Sequence, residues 1–534
     1  MKTTIKNLIL SAVLVVGGAS CVDLDTAPYD RETDLTYWEE DPEAAVKALN
    51  TCYTYLGNMD EQLYCEAMTD NAYTKQPNDA TQNIGNGSYS TADPYVKKVW
   101  DGRYTGIRMC NELLENIDRV PDLVPELKKR YIGEAKVLRA YNYYELYTKF
   151  GDVPYTTKVL SIKESMSIAR TAKATVIANV LADLDEVING NYLPTSYDAD
   201  NKGRITRWAA MAIKAKIYLF EGNWTQVKNI TSTIMTEGGF KLFGSYAGLF
   251  EIANEYNSEV ILDAQYRPTS REHQMMYVFL PPTLGGYSQL SPLQELVDSY
   301  IMLDGKTIKE TGTSFDENHP YANRDPRLKA TVMYTGNSYT LADGTEVVIN
   351  CEKGEGKDGY GVGSDCSATG YYIKKYWDNT YRATLYSGLN PILIRYADIL
   401  LMNAEALAEL GELDKTAWDA TIKPIRDRAG FTLASAVEFP EGASKDKLIE
   451  IVRNERRSEL ALEGHRHKDI IRWRIADDVL NGWCHGLKTN EVVGTDNGYV
   501  RVENRAFNAN KHYLWPIPQA ERDLNGNLVQ NPNW

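Results

Sequence analysis

Apolar residues recur at helical spacing over much of the chain, and that rhythm fails in two places. A repeat every three to four positions marks an amphipathic helix. It predicts helices over 44–56, 96–117, 126–150, 174–188 and 208–221, with Asn223-Trp224 opening another. Asp41-Pro42-Glu43 reads as a cap with proline in the first turn. Gly151 stops the 126–150 helix and Pro154 prevents its return. Short turns between helices of this length imply antiparallel pairs.

The first break covers 241–390. Gly, Tyr, Thr and Asn crowd this stretch and helical patterns are short. Residues 259–266 read as a strand, and 277–286 (YVFLPPTLGG) as a strand-like run stopped by two prolines. Residues 335–379 read as loop and hairpin. Helical order returns at 391–411 (PILIRYADILLMNAEALAELG), with Gly411 as its stop.

The second break is shorter. Leu448, Ile449 and Val452 keep the helical period, and so do Leu460 and Leu462, but Arg453 to Glu459 hold no large apolar side chain. Glu, Arg and Leu favour helix, so the helix is expected to run on to Gly464. Glu455, Glu459 and Glu463 then share a face, with Arg456 and Arg457 beside it. Apolar ends around a charged middle predict buried ion pairs that lock helices together. The rival reading makes Glu455 or Glu459 catalytic; paired carboxylates on one face more often serve structure.

Composition narrows the function. With 73 acidic residues against 58 Lys and Arg, the net charge of −15 speaks against binding a nucleic-acid backbone. The 36 Tyr against 10 Phe favour half-wet surfaces and polar ligands, since the ring is apolar and its tip polar. Lys2 and Lys6, an apolar run over 8–16 and then Gly18-Ala19-Ser20-Cys21 read as an export signal with a lipoprotein cleavage site. Cys21 is the expected lipidated N-terminus. Six further cysteines allow fifteen pairings, of which Cys351–Cys366, flanking a Gly-rich excursion, is favoured.

The motif around the second break, ERR-x-EL-x-x-EG-x-R-x-x-D-x-x-RW, resembles the C-terminal signature of the SusD/RagB family of Bacteroidetes surface lipoproteins. Further blocks agree in order: Arg139-Ala140-Tyr141 through Pro154, the RYA-x-x-LLM-x-AEA run inside 391–411, Ile425 to Gly430, and the closing Pro516-Ile517-Pro518 and Gln530-Asn531-Pro532-Asn533-Trp534. Asn533 stands where such proteins carry Gly. The resemblance implies a mainly α fold, a tetratricopeptide-like scaffold of helical pairs with a loop-rich, short-strand platform. It divides the chain into a signal peptide (1–20), a lipidated tether (21–40), an N-terminal helical part (41–240), the excursion (241–390) and a C-terminal helical part (391–534), together one compact unit. It also implies a short helix and turn near 292–305, residence on the outer cell surface, and a SusC-like TonB-dependent barrel as partner.

The function it implies is capture of glycans without catalysis. Alternatives are peptide capture, as in the RagB branch, and glycan breakdown, which needs two carboxylates roughly 5–10 Å apart. A sugar site needs flat rings and planar hydrogen-bonding groups. The resemblance puts one contact segment near 66–73, nominating Asp70, Asn71 and Tyr73, with Tyr89 from the same excursion. The region after strand 259–266 adds Tyr277, Phe279 and Tyr287. The competing reading for each is burial in the core. Trp100 and Trp208 read as helix packing. No catalytic motif, phosphate loop or nucleophile elbow occurs. His465 and His467, two apart, should point to different faces, which speaks against a metal. Asp198 to Gly203 reads as half of a calcium loop without its distal Glu, so calcium is a secondary expectation and no other cofactor is implied.

Overall fold

The computed structural model describes residues 33–34, 36–75, 80–381 and 384–534. Cys21 and the export signal lie outside the described residues. The fold is mainly α, with short strands and, among the described residues, no closed sheet. Its scaffold runs through α1 (Ala44–Tyr53), α2 (Pro94–Asn116), α3 (Pro125–Phe150), α4 (Lys173–Asn189), α5 (Arg207–Phe220), α6 (Trp224–Glu237), α7 (Tyr396–Leu410), α8 (Lys415–Ala429) and α9 (Lys445–Glu459). From α1 to α8 each of these packs on the next, and α9 closes on α7. The array therefore passes from α6 straight to α7 as though residues 238–395 were an insertion.

Local chemistry sets the helix ends. Asp93 caps α2 by accepting from the Tyr95 N–H at 2.9 Å, with Pro94 at the first position. Thr206 and Asn223 cap α5 and α6 in the same way. Gly411 and Gly430 end α7 and α8 in the left-handed conformation. The last turn uses the same geometry: Asn533 has φ of 65°, a region that asparagine tolerates, which explains how it replaces glycine there.

Several expected elements differ. The four residues before α7 form a strand, β4 (Ile392–Arg395), paired antiparallel with β2 (Val260–Asp263). Their Ile-Leu-Ile run has high strand preference, and a partner strand decides the outcome. The 277–286 run is no strand: Met275–Phe279 is helical and Pro282–Leu284 a 3-10 turn. Helix α9 ends at Glu459, short of Gly464, and Leu462 takes φ of 63°. Thr36–Glu40 form a helical turn with Trp38 buried in the main core, so that end of the expected tether belongs to the scaffold. An unexpected antiparallel pair follows α9, β5 (Asn481–Lys488) with β6 (Tyr499–Ala506). All six described cysteines are free thiols; Cys366 Sγ faces the Lys357 carbonyl at 3.3 Å rather than Cys351.

Two large cores result. One lies between α1 to α6, includes Trp100 and Trp208, and is closed by Trp515 and Ile517 near the C-terminus. The other lies beneath the loop-rich part and holds Phe279, Tyr300, Tyr339 and Tyr372.

Candidate functional site

The charged middle of α9 is a buried ion network. Arg395 reaches Glu259 at 2.7 Å, Glu459 at 2.6 Å and both oxygens of Glu463, at 2.7 and 2.8 Å. Arg327 holds Glu455 at 2.6 Å and Glu459 at 2.9 Å, and Arg426 holds Glu455 from its other side at 2.7 Å. Lys375 closes on Glu463 at 2.7 Å. Burial by itself would raise these three carboxyls, but the surrounding cations outweigh it and hold Glu455, Glu459 and Glu463 below the usual range. They stay charged and fully engaged, which is a locking role and leaves no oxygen free to move a proton.

This network also claims two of the nominated ligand residues. Arg466 makes a two-pronged pair with Asp70, 2.8 Å on each side, and Arg457 approaches Asp70 at 2.9 Å and Asn71 Oδ1 at 2.9 Å. Asn71 Nδ2 donates to Glu66 at 2.8 Å. Asp70 and Asn71 are buried, so they fasten the 66–73 segment to α9 instead of facing a ligand. Tyr89 is buried between His512 and Trp534, and Phe279 lies within the second core. All four follow the burial reading.

Tyr73, Tyr277 and Tyr287 behave differently. The rings of Tyr277 and Tyr287 stack with centroids 5.4 Å apart and planes 23° from parallel, and Tyr287 is 40% exposed. The chain reverses between them through Gly285 and Gly286, and the Tyr287 N–H donates to the Tyr277 carbonyl at 2.9 Å. A Cβ at Gly286 would lie 2.2 Å from the Leu280 carbonyl oxygen, so only glycine lets the two tyrosines meet. From Tyr287 the chain enters β3 (Leu290–Pro292), which pairs antiparallel with β1 (Ala72–Thr74), setting Tyr73 opposite Ser291. The Lys75 N–H donates to the Gln289 carbonyl at 2.9 Å and extends the ladder. Tyr73 is half-buried and accepts from Gln82 at 3.2 Å; burial, then the Glu503 carboxylate, push its phenol up to about 12.

The stacked rings form a half-exposed strip and an amide (Gln289) lies on the adjoining ladder; the Lys75 ammonium is engaged by the carbonyls of Ser364 and Cys366. Such a strip can stack on the C–H face of a flat polar ring and donate and accept hydrogen bonds around it. An exposed tryptophan missed by the sequence reading adds to the candidates. Trp483 on β5 is 43% exposed, with the Arg501 guanidinium 5.5 Å from its ring centre. It sits opposite Asn504, next to the Glu503 that acts on Tyr73. Its exposed position becomes visible only once the strand β5 is recognised.

His465 and His467 both line a cavity of about 110 Å³, His465 with its Nδ1 3.3 Å from Lys216 Nζ and His467 against the Trp515 ring. His465 precedes its helix, so helical spacing does not separate the two. Burial, then neighbouring lysines, push both imidazoles down to about 3. Among the described residues no group of three or more His, Cys, Asp or Glu side chains could hold a metal ion. The Asp198 carboxylate caps a short turn, accepting from Asn201 N at 3.0 Å and Nδ2 at 2.9 Å.

The SusD family model matches residues 249–534, more than half of the protein. The chain belongs to the SusD family. A second SusD-like model, described as starch-binding and associating with the outer membrane, matches 37–219. SusD-like protein P25 of Formosa agariphila is 27% identical, covering 99% of this chain and 98% of its own length. A SusD-like protein of Bacteroides ovatus is 23% identical over 92% of this chain and 88% of its own. Among solved structures, a SusD-like carbohydrate-binding protein of Bacteroides fragilis superposes with a TM-score of 0.81 at 28% identity, covering 92% of this chain and all of that one. The family description ties this SusD-like chain to the outer membrane. Among the described residues no helix is long and apolar enough to cross a membrane.

Proposed function

We propose that this protein is a lipoprotein anchored through Cys21 that captures glycans at the cell surface and passes them to a SusC-like TonB-dependent barrel, without acting on them chemically. The stacked Tyr277–Tyr287 pair carries the reading. Its exposed side offers the flat apolar surface that a sugar ring needs, and Gln289 and Tyr73 supply polar groups within the adjoining ladder. Likeness to the carbohydrate-binding protein of Bacteroides fragilis supports the ligand class. The outer-membrane association printed for the matching SusD-like model supports the anchored, barrel-linked part of the reading.

The test is calorimetric titration of the form lacking residues 1–21 against a panel of neutral polysaccharides and a peptide mixture. Saturable binding of a polysaccharide, weakened by Tyr287→Ala, is the expected result. Binding of peptides alone would replace the glycan reading with peptide capture.

A further inference from the structure

The turn that brings Tyr277 and Tyr287 together is held from outside. It opens on Pro281 and Pro282, which have no N–H to give. The first amide after them is Thr283, and its N–H goes to Oδ1 of Asp358 at 2.8 Å. The Thr283 hydroxyl donates to Oδ2 of the same carboxylate at 2.5 Å. Inside the turn the Pro281 carbonyl accepts from Leu284 and Gly286, and the Pro282 carbonyl from Gly285. Asp358 is thus the contact that ties Thr283 to a distant segment, the Gly-rich loop 351–366.

Asp358 is buried, and among the described residues it makes no ion pair. The lysines of the surrounding segments are used elsewhere: Lys353 pairs with Glu491, and Lys75 holds the carbonyls of Ser364 and Cys366. A carboxylate buried without a counterion is costly, and what offsets the cost here is a pair of charge-assisted hydrogen bonds to one residue.

The loop is itself fixed. The Asp358 carbonyl accepts from the Tyr372 hydroxyl at 2.5 Å, and Tyr372 is buried in the second core. At Gly359 a Cβ would lie 2.2 Å from the Glu355 carbonyl oxygen, so only glycine lets the loop wind tightly enough to present Asp358. Further along, Lys75 pins the Cys366 carbonyl at 2.8 Å, beside the β1–β3 ladder. The loop therefore braces the aromatic strip at both ends, at its turn through Asp358 and at its ladder through Lys75.

We propose that Asp358 is a positioning residue for glycan capture: from the 351–366 loop it fixes the Thr283 turn and so holds Tyr277 and Tyr287 stacked before ligand arrives. A contact ordered in advance loses less freedom on binding, which is where the affinity comes from. The inference rests on the reading of that pair as the glycan contact.

The test is hydrogen exchange of residues 281–289, read by mass spectrometry. It uses the chain lacking residues 1–21, a truncation that removes none of the described fold. Asp358→Ala should speed exchange there about tenfold and leave α2 and the β5–β6 pair unchanged. Asp358→Asn keeps an acceptor for the Thr283 N–H and should restore the slow rate. Thr283→Val removes only the hydroxyl and should fall between; it carries the test alone where Asp358→Ala does not fold. The same variants are titrated with soluble starch and laminarin. Affinity for whichever binds the parent should fall about tenfold in Asp358→Ala and recover in Asp358→Asn. Unchanged exchange at 281–289 in both Asp358→Ala and Thr283→Val overturns the proposal. So does exchange that rises equally in the controls, or faster exchange with undiminished affinity. If neither polysaccharide binds the parent while exchange responds as expected, the brace stands and it is the glycan reading that falls.

Discussion

Arg466 grips Asp70 through two parallel hydrogen bonds of 2.8 Å, joining residues 396 positions apart. The pair is buried and shares Asp70 with Arg457. It ties the segment that leads into β1 to the segment that follows α9, so the charged stretch organises both halves of the chain. Removing one partner leaves a charge buried without its counterion, which typically costs about 3–5 kcal/mol. Arg466→Ala should lower unfolding stability by that amount in urea denaturation. A change below about 0.5 kcal/mol would show that Arg457 suffices alone.

The same network predicts how stability responds to acid. Asp70, Glu455, Glu459 and Glu463 have carboxyls held below their ordinary values of 3.8 and 4.5. A lowered carboxyl stabilises the fold above its unfolded value and loses that contribution as pH falls. Two other sets act between 4.5 and 6.5 and oppose each other. Burial pushes Glu66 and Glu255 up to about 7 and Asp263 up to about 6, which favours the fold as pH drops. Burial pushes His465 and His467 down to about 3 and His273 and His512 down to about 4, which disfavours it, because the unfolded chain takes up those protons first. The melting temperature should therefore change little from pH 7 to about pH 4.5 and fall steeply below. Calorimetric scans across that range check it; a smooth decline starting at pH 6.5 would mean that the histidines dominate.

The described thiols are free, and all but Cys65 are buried. No disulfide joins the described cysteines, so a reducing agent should leave the melting temperature unchanged. The buried five should react with maleimide only after denaturation, as counted by mass spectrometry. A fall of several degrees on reduction would reveal a bridge.

The helical scaffold was legible because each long helix carries its own period and its own stop, as Gly151 and Gly411 show. The ion network was legible for the same reason: an apolar stripe that lapses from Arg453 to Glu459 must be compensated by partners. What the chain did not declare were those partners. Arg327, Arg395 and Asp70 come from distant segments, and only the fold reveals that Asp70 answers Arg466. The strand β4 was hidden because Ile392 to Arg395 suit helix and strand alike until β2 arrives beside them. For the site, residue type pointed to tyrosine, but burial separates Tyr89 from Tyr287, and burial is a property of the whole.

That separation yields the sharpest test. Phe279 and Tyr287 are neighbours in sequence, both aromatic, and both were nominated for ligand contact. Phe279 is buried in the second core, whereas Tyr287 is 40% exposed and stacked on Tyr277. Phe279→Ala leaves a cavity and should cost about 3–5 kcal/mol of stability. Tyr287→Ala removes a mostly solvated ring and should change stability by less than about 1 kcal/mol while weakening glycan binding about tenfold. Thermal melts and titrations on the two variants check both halves. If Tyr287→Ala binds glycan like the parent, the stacked pair serves the fold of the β3 turn, and the exposed Trp483 becomes the ring to substitute next.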